Sequence, residues 1–365
     1  MKILYDHQIF VLQKYGGISR YFCELYSQFL RTGSISPKIS VIYSENSYYR
    51  ELFHSIPLIY NLQFNGKSRR IAQLNKLFSK NQIKNENFDI FHPTYYDSYF
   101  LKYLKTKPYI LTVYDMIHEL FPDMFKNDNT AIQKEIAIRR ATKIIAISEN
   151  TKNDIVKFYH IDPNKIVVIP LATSLCAQKP DSTLNLPQKY ILFVGDRWTY
   201  KNFDFFIRSI SDILSEENNL FLICAGGKLF SDNEIRLFED LKIKSKVIHY
   251  SISDDRALSY LYRKAIVFVF PSLYEGFGIP VLEAFSSGCP VAASNCSSFP
   301  EVGGDAIKYF DPRSSHSIQE VIMDIVHNEA VQDSLRNRGY QRLKLFSWEK
   351  TALDTKKVYE NLLYK

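Results

Sequence analysis

Long apolar runs are missing from this sequence of 365 residues, in which no stretch reaches the ~18 apolar residues that a membrane-spanning helix requires. The N-terminus turns polar within a few residues, at Asp6, which is not the pattern of a secretory signal peptide. The five cysteines are odd in number and lack the paired spacing of a zinc site. These absences favour a cytoplasmic protein with reduced thiols.

The chain is longer than the size at which a single hydrophobic core usually stops growing, so we expect two domains. The net charge of +7 is unevenly distributed, because residues 1–180 contain 24 Lys and Arg against 15 Asp and Glu, whereas residues 181–365 contain 22 against 24. A basic N-terminal half suits an anionic membrane surface, a phosphate-bearing substrate or nucleic acid. A solvated surface that binds no partner explains the same charges equally well.

The segment Val267–Pro300 predicts a buried strand, a glycine loop and a helix that begins near Pro280. A helix N-terminus that faces such a loop is a site for anions. Glu275 and Glu283 lie eight positions apart within this segment. Carboxylates repel phosphate, so these two are better suited to bind hydroxyl groups, as carboxylates do on ribose. Two exposed glutamates on an ordinary turn are the alternative.

Short apolar runs alternate with helical periodicity along the whole chain, and one such run, Ile39–Tyr43, is expected to be the second strand. This alternation predicts an α/β protein with two doubly wound, Rossmann-like parallel-sheet domains that face a cleft. The expected domains are residues 1–176 and 189–349, joined by a proline-containing linker at 177–188.

Two places in the N-terminal half are further candidates for a site. Gly16 and Gly17 precede a helical pattern and could let a ligand approach the backbone closely, or simply form a tight turn. His118 follows an apolar run that should be a strand, where open α/β sheets build their sites. It is either a hydrogen-bond partner or base that Asp115 orients, or a histidine packed against Phe121.

Arg197 and Lys201 lie in the loop that follows the predicted strand Tyr190–Val194. Each alone is more often a surface charge. Together, two cations in a loop that precedes a helix N-terminus can bind a diphosphate.

With these residues in view, the chain resembles the retaining glycosyltransferases of family 4, which have the GT-B fold, over nearly its whole length. The most specific match is P-S-L-Y-E-G-F-G-I-P-V-L-E-A-F-S-S-G-C-P-V, which carries the family's E-x7-E signature at Glu275 and Glu283. Supporting motifs are Y-G-G-I-S-R-Y, Y-D-M-I-H-E, V-G-D-R-W-T-Y-K-N and S-F-P-E-V-G-G-D-A.

The resemblance implies that the N-terminal domain binds the acceptor and that the C-terminal domain binds the nucleotide-sugar donor. It also implies a role for each candidate residue. Lys201 and Arg197 would bind the donor diphosphate, although the spacing of this basic pair varies in the family. Glu283 would bind the ribose hydroxyls. Gly16 and Gly17 would form the glycine loop that comes close to the donor phosphates.

For the transferred sugar, the resemblance implies contacts with Glu275 and with the backbone amides of Phe277, Gly278 and Ile279. His118 would approach the same sugar. The catalytic candidates are therefore Glu275, His118, Lys201 and Arg197.

The resemblance also implies the reaction. It is transfer of a mannose-, rhamnose- or glucose-like sugar from a nucleoside diphosphate sugar to a hydroxyl of a glycan or lipid-linked saccharide, in surface polysaccharide or lipopolysaccharide biosynthesis. The resemblance implies that neither a divalent metal nor another cofactor is needed, and the absence of a clear D-x-D motif agrees with this expectation. The final helix, over about residues 350–365, is expected to pack back onto the N-terminal domain.

The alternatives are a sugar-nucleotide epimerase of the same fold and a non-catalytic nucleotide-binding scaffold. We expect a cytoplasmic location and no nucleic-acid partner. The basic N-terminal half suits peripheral contact with an anionic inner membrane face if the acceptor is lipid-linked, and a soluble acceptor stays open.

Overall fold

The computed structural model describes residues 1–53, 68–175, 184–197, 199–252 and 254–363. These residues form two compact units. Unit 1 comprises Met1–Leu171 and Trp348–Lys365, and unit 2 comprises Ala172–Ser347. Most of the expected linker at 177–188 lies outside the described residues, so its bounds stay a prediction.

Unit 1 contains the parallel strands β1 (Lys2–Tyr5), β2 (Ser36–Ile39), β3 (Ile90–His92), β4 (Ile110–Val113), β5 (Lys143–Ala146) and β6 (Ile166–Val168). Their order is β2-β1-β3 and β4-β5-β6, and a parallel bridge between Phe91 and Tyr109 joins the two groups. The helices are α1 (Gln8–Leu12), α2 (Gly17–Thr32), α3 (Ser47–Leu52), α4 (Ser68–Asn85), α5 (Ile117–Leu120), α6 (Thr130–Arg140) and α7 (Glu149–Tyr159).

The second strand differs from the expected Ile39–Tyr43. In the structure it is Ser36–Ile39, and its Pro37 lies opposite Ile3 of β1. Proline cannot donate a ladder hydrogen bond and is tolerated at the edge of a sheet, where β2 lies. The apolar pattern alone overlooked a strand that contains a proline.

The last helix, α15 (Trp348–Leu363), belongs to unit 1 and packs on α2. Its Tyr359 hydroxyl lies 3.1 Å from the hydroxyl of Tyr5 on β1 and 2.7 Å from Nδ1 of His92 on β3. Thr351 donates a hydrogen bond of 2.8 Å to the carbonyl oxygen of Pro170. These buried polar contacts fix the helix against the strands of unit 1.

Unit 2 is built on the parallel strands β7 (Lys189–Val194), β8 (Leu220–Ala225), β9 (Val247–Tyr250), β10 (Val267–Phe270), β11 (Val291–Ser294) and β12 (Ile307–Phe310), in the order β12-β11-β10-β7-β8-β9. Its helices are α8 (Phe203–Glu216), α9 (Asp232–Asp240), α10 (Asp255–Lys264), α11 (Ile279–Ser286), α12 (Phe299–Gly303), α13 (Ser315–His327) and α14 (Glu329–Leu343). Strands that are apolar along their length, such as β10, are typical of a parallel sheet covered on both faces.

Two kinds of feature are absent from the part of the chain that the structure describes. No helix there combines the length and the apolar character needed to cross a bilayer. Nor do three or more His, Cys, Asp or Glu side chains of these residues group as metal ligands would.

Candidate active site

The sheet of unit 2 reverses its strand order between β7 and β10. The chain runs from β7 to β8 and β9 on one side and then places β10 on the other side of β7. Ligands of open α/β sheets bind outside the carboxyl ends of the strands at such a reversal. Lys201 follows β7 and Glu275 follows β10, so both side chains belong to this position.

The structure brings these two predicted residues together as an ion pair, with Lys201 Nζ 2.6 Å from Glu275 Oε1. The two side chains are only 16% and 12% exposed. The ammonium also lies 5.2 Å from the centre of the Phe270 ring. A hydrogen bond of 2.8 Å from the backbone N–H of Leu273 to the carbonyl of Tyr200 ties the two loops to each other. The pair is therefore held in a weakly solvated place, where its charges act strongly.

Two serines fix the backbone on which Glu275 stands. The Ser297 hydroxyl accepts a hydrogen bond of 3.0 Å from Glu275 N–H and donates one of 2.6 Å to the Glu275 carbonyl. The Ser298 hydroxyl lies 3.0 Å from the carbonyl oxygens of both Glu275 and Phe277. Sequence reasoning assigned no role to these serines, although the motif S-F-P-E-V-G-G-D-A begins at Ser298.

The loop then enters α11 through Gly278, whose φ of +92° is a conformation that other residues rarely adopt. A β-carbon at this position would lie 3.4 Å from the Phe299 ring. Phe277 is buried beside this turn, and Ile279 and Pro280 begin the helix. The first amides of α11 thus follow directly on the loop that carries Glu275.

Glu283, the second predicted carboxylate, has different surroundings. It is buried on α11, at 8% exposure, and accepts a hydrogen bond of 3.1 Å from the hydroxyl of Tyr262 on α10. Burial, together with the charge of Glu283, raises the pKa of Tyr262 well above its ordinary value, so the phenol stays a donor. Tyr262 was not predicted, because nothing in α10 marks it as different from a core residue.

Arg197 contacts residues on the other side of β7, those that follow β8. Its Nε donates to the Glu234 carboxylate, and Nη2 donates to the carbonyls of Lys228 at 2.7 Å and Leu229 at 3.2 Å. The side chain is 6% exposed, and Nη1 is buried with no hydrogen-bond partner among the described residues. The two cations therefore contact loops on opposite sides of β7. Lys201 contacts the loop after β10, and Arg197 contacts residues that follow β8.

Glu234, which positions Arg197, was also missed. Its other carboxylate oxygen accepts hydrogen bonds of 2.7 Å from the backbone N–H and hydroxyl of Ser231, in a capping box that begins α9. Burial opposes ionisation of Glu234, but the hydrogen bonds from Arg197 and Ser231 outweigh it and lower its pKa. The pattern S-D-N-E was readable as a helix start, but not as a group that binds an arginine.

Gly16 and Gly17 lie in unit 1 at the start of α2. Gly16 is the cap residue and has an extended backbone, with φ of 166°. A β-carbon on Gly16 would approach Gln13 Oε1 to 2.3 Å, and that same oxygen accepts a hydrogen bond of 3.2 Å from Ser19 N–H. A side chain at this position would have to displace the end of the Gln13 side chain, which folds over the helix start.

His118, also in unit 1, lies on the short helix α5. Its ring packs 4.2 Å from that of Phe125, centre to centre, and Nε2 lies 3.6 Å from the Asp128 carboxylate. Burial and the nearby charge of Lys134 lower its pKa, so the ring is neutral near pH 7. Asp115 accepts the backbone N–H of Ile117 at 3.1 Å instead of orienting His118.

The doubly wound parallel sheet, with an ion pair at its order reversal beside a helix N-terminus, places unit 2 in the class of open α/β domains, which bind ligands at this position. Sequence profiles narrow this class. The profile for "Glycosyltransferase Family 4" matches residues 15–175, and that for "Glycosyl transferases group 1" matches residues 177–342. The chain belongs to this family of glycosyltransferases.

Among characterised relatives, O-antigen chain mannosyltransferase B of Escherichia coli is 30% identical over 61% of this chain and 61% of its own length. O-antigen chain mannosyltransferase RfbU of Salmonella typhimurium is 32% identical over 59% of this chain and 60% of its own. The matches thus span about three fifths of these relatives. The structure of Anabaena Alr3699/HepE, in complex with UDP and glucose, superposes with a TM-score of 0.75 at 15% identity and covers 99% of this chain and 100% of that one. This likeness establishes the GT-B fold.

Proposed function

We propose that the protein transfers a sugar from a nucleoside diphosphate sugar to a hydroxyl group of a saccharide acceptor, with retention of configuration. The observation that carries the proposal is the Lys201–Glu275 ion pair of 2.6 Å at the order reversal of unit 2. It supplies a cation for a departing diphosphate and, next to it, an acceptor of hydrogen bonds for sugar hydroxyls. A site for a diphosphate alone would have no use for the carboxylate.

Lys201 is proposed to bind the diphosphate and to stabilise the negative charge that develops on the leaving nucleotide. A bound diphosphate would share the ammonium with Glu275 and so release carboxylate lone pairs toward the sugar. Arg197 has one buried donor, Nη1, left for the same diphosphate, since its other nitrogens are engaged by protein groups. Gly16 and Gly17, by family resemblance, are proposed to approach the donor phosphates.

Glu275 is proposed to bind hydroxyls of the transferred sugar, with help from the backbone amides of Phe277, Gly278 and Ile279. The hydrogen bonds from the two serines support this role, because they fix the backbone N–H and carbonyl of Glu275. A carboxylate on a fixed backbone can distinguish between hydroxyl positions of a sugar. His118, by family resemblance, is proposed to contact the same sugar. Its lowered pKa supports a neutral hydrogen-bonding role.

Glu283 is proposed to bind the ribose hydroxyls of the donor. Its carboxylate is buried on α11 and accepts a hydrogen bond from Tyr262, which holds it in place for this role. The two carboxylates would then bind different parts of the donor. Glu275 would bind the sugar that is transferred, and Glu283 would bind the nucleotide that leaves.

Retention is proposed to follow a front-face route in which the leaving phosphate helps to deprotonate the acceptor. Glycosidases that retain configuration use a carboxylate nucleophile and form a covalent intermediate. Here the carboxylate of Glu275 is paired with Lys201, which suits binding better than attack on the anomeric carbon. We expect side-chain cations and helix amides, and not a metal ion, to neutralise the diphosphate.

The relatives support a substrate class. Two of them are O-antigen chain mannosyltransferases, which supports a mannose-like donor and a role in surface polysaccharide or lipopolysaccharide biosynthesis. The structural neighbour solved with UDP and glucose supports a nucleoside diphosphate donor. We propose a cytoplasmic enzyme whose acceptor is a glycan or a lipid-linked saccharide. Its basic N-terminal half would add affinity for an anionic membrane face.

The experiment is a screen of nucleotide sugars for thermal stabilisation, followed by transfer assays with the stabilising donor. A ligand bound only by the folded state raises the melting temperature. The nucleotide sugar that raises it most is the candidate donor. We expect slow donor hydrolysis alone and rapid release of nucleoside diphosphate when a saccharide acceptor is added. A donor whose sugar is epimerised without transfer would contradict the proposal, and so would stabilisation by a nucleotide that is never consumed.

A further inference from the structure

Lys134 on α6 is a fully buried lysine, and none of the sequence motifs described above includes it. Its Nζ lies 2.9 Å from a carboxylate oxygen of Glu119 and 3.0 Å from the backbone carbonyl oxygen of Asp115. The Asp115 carboxylate lies 3.8 Å from the same nitrogen, and the centre of the Tyr96 ring lies 5.0 Å from it. These groups account for the three donors of the ammonium, so Lys134 has none to offer to a ligand.

The burial of this ammonium is costly, and its ion pair only offsets the cost. Apolar groups of similar volume in place of a buried ion pair often leave a protein equally stable or more stable. The Glu119 side chain is itself only 6% exposed, and its other oxygen accepts a hydrogen bond of 2.5 Å from the hydroxyl of Tyr159 on α7. Stability alone therefore gives no reason for a lysine at position 134, whereas its contacts with the chain around His118 indicate one.

His118 lies in a short turn, Asp115–Glu119, which we call the histidine turn. Its one buried apolar side chain is Met116, whereas the apolar side chains of α5 are partly exposed. Lys134 contacts both ends of the histidine turn, through the carbonyl of its first residue and the carboxylate of its last. A buried donor that bonds both ends of a five-residue segment fixes the path of the backbone between them.

The His118 ring depends on this backbone for its orientation. Its Nδ1 is buried and has no hydrogen-bond partner among the described residues. Its Nε2 lies 3.6 Å from the Asp128 carboxylate, which is too far for a hydrogen bond. The contact of the ring with Phe125 is one of packing. A change in the path of the histidine turn would therefore move the ring, because no hydrogen bond of its own retains it.

The charge of Lys134 acts on the same ring. Burial is the first cause of the lowered pKa of His118, and the charge of Lys134 is the second. The carboxylates that oppose this lowering of the pKa are those of Asp115, Asp128 and Glu119. Lys134 thus favours the neutral imidazole, which can accept a hydrogen bond from a hydroxyl group.

We propose that Lys134 is a positioning residue of the transfer reaction, which holds the histidine turn at both ends and so orients the His118 ring for its contact with a sugar hydroxyl. The inference rests on the proposed function, in which His118 contacts the transferred sugar. Lys134 itself touches no substrate. The competing explanation is a buried ion pair that serves stability only, and the two explanations predict different results when both charges are removed together.

The test compares Lys134→Met with the double variant Lys134→Met/Glu119→Gln in the full-length protein. The single variant leaves a buried carboxylate unpaired and so loses stability, whereas the double variant leaves no buried charge without a partner. We expect the double variant to fold, as urea unfolding will show, and to lose about ten- to hundredfold in kcat, as for a displaced contact in the reacting complex. Nucleotide affinity measured by calorimetry should not change, because the proposed ribose contact, Glu283, lies in unit 2. The matched control is Lys38→Met, which breaks an exposed ion pair of 2.8 Å in unit 1 and should leave kcat unchanged.

Two further measurements detect an effect that acts through His118. In a histidine NMR titration, the pKa of His118 should be higher in Lys134→Met than in the wild type, because a nearby cation is removed. The acid limb of the pH profile of kcat should move to higher pH in the same variant. In a His118→Ala background, the double substitution at 134 and 119 should lower kcat no further. If the single variant unfolds, this last measurement decides.

The inference is wrong if the folded double variant transfers sugar at the wild-type rate, or if its loss in kcat multiplies with that of His118→Ala. An unchanged pKa of His118 in a folded Lys134→Met protein would also overturn it. These results are distinct from a failure of the proposed function, which is a wild-type protein that consumes no nucleotide sugar. A wild type that transfers sugar, together with unaffected variants, overturns this inference alone.

Discussion

A double-mutant cycle on Lys201 and Glu275 tests the central ion pair most directly. Lys201→Met leaves the Glu275 carboxylate without its cation, and Glu275→Gln leaves the Lys201 ammonium without its anion. The double variant has neither charge. Two unit charges about 4 Å apart attract by roughly 1 kcal/mol in water and about 4 kcal/mol at an effective dielectric constant near 20. The side chains are 16% and 12% exposed, between these limits. We therefore expect a coupling free energy of about 1–3 kcal/mol in stability.

Activity should behave differently from stability in this cycle. Removing a group that stabilises a developing charge typically lowers kcat by about 10²–10³. Lys201→Met should show this loss, and adding Glu275→Gln should restore part of the stability but none of the activity. Urea unfolding gives the stabilities, and release of nucleoside diphosphate gives the rates.

Two results would refute this reasoning. A coupling free energy below about 0.5 kcal/mol would show that the pair contributes as little as an exposed one. Near-normal turnover of a folded Lys201→Met protein would show that Lys201 does not bind the diphosphate. Lys201→Arg is the informative control, because it keeps the charge while it changes the geometry.

Three further predictions concern groups in the two units. Tyr262→Phe removes a hydrogen bond to Glu283, so nucleotide affinity measured by calorimetry should fall about three- to tenfold with little change in kcat. Glu234→Gln weakens the contact that orients Arg197, so the KM for the donor should rise while the fold persists. Burial lowers the pKa of His92 from 6.5 to about 3. Between these pH values the imidazole is protonated in the unfolded chain and neutral in the folded protein. As the pH falls from 6.5 toward 3, the free energy of unfolding should drop by up to about 1.4 kcal/mol per pH unit more than in His92→Gln.

Each of these has an outcome that would contradict it. An unchanged nucleotide affinity in Tyr262→Phe would contradict the proposed contact between Glu283 and the ribose. An unchanged donor KM in Glu234→Gln would make the Arg197 contact structural only. Equal acid sensitivity of the wild type and His92→Gln would mean that His92 is charged in the folded protein.

The sequence was sufficient to predict the strand, loop and helix around Glu275. Apolar runs and glycine turns are local signals, and the alternation of strands and helices dictates a parallel sheet. It was not sufficient to predict that Lys201 pairs with Glu275. These residues are 74 positions apart, and only the strand order makes β7 and β10 neighbours.

Arg197 shows a different limit of sequence reasoning. Its position four residues before Lys201 does not show which neighbour of β7 its side chain contacts. A long side chain can extend to either neighbour of its strand, and the presence of Glu234 beyond β8 decides the direction. Such a choice depends on a partner that sequence patterns identify only as a helix cap.

The two units offer different chemistry at the same topological position. In unit 2 the reversal of strand order holds an ion pair whose cation an anionic ligand can share. In unit 1 the reversal holds His7, whose pKa is lowered by burial, beside Asp6, whose carboxylate accepts hydrogen bonds from Gln8, Thr94 and Tyr99.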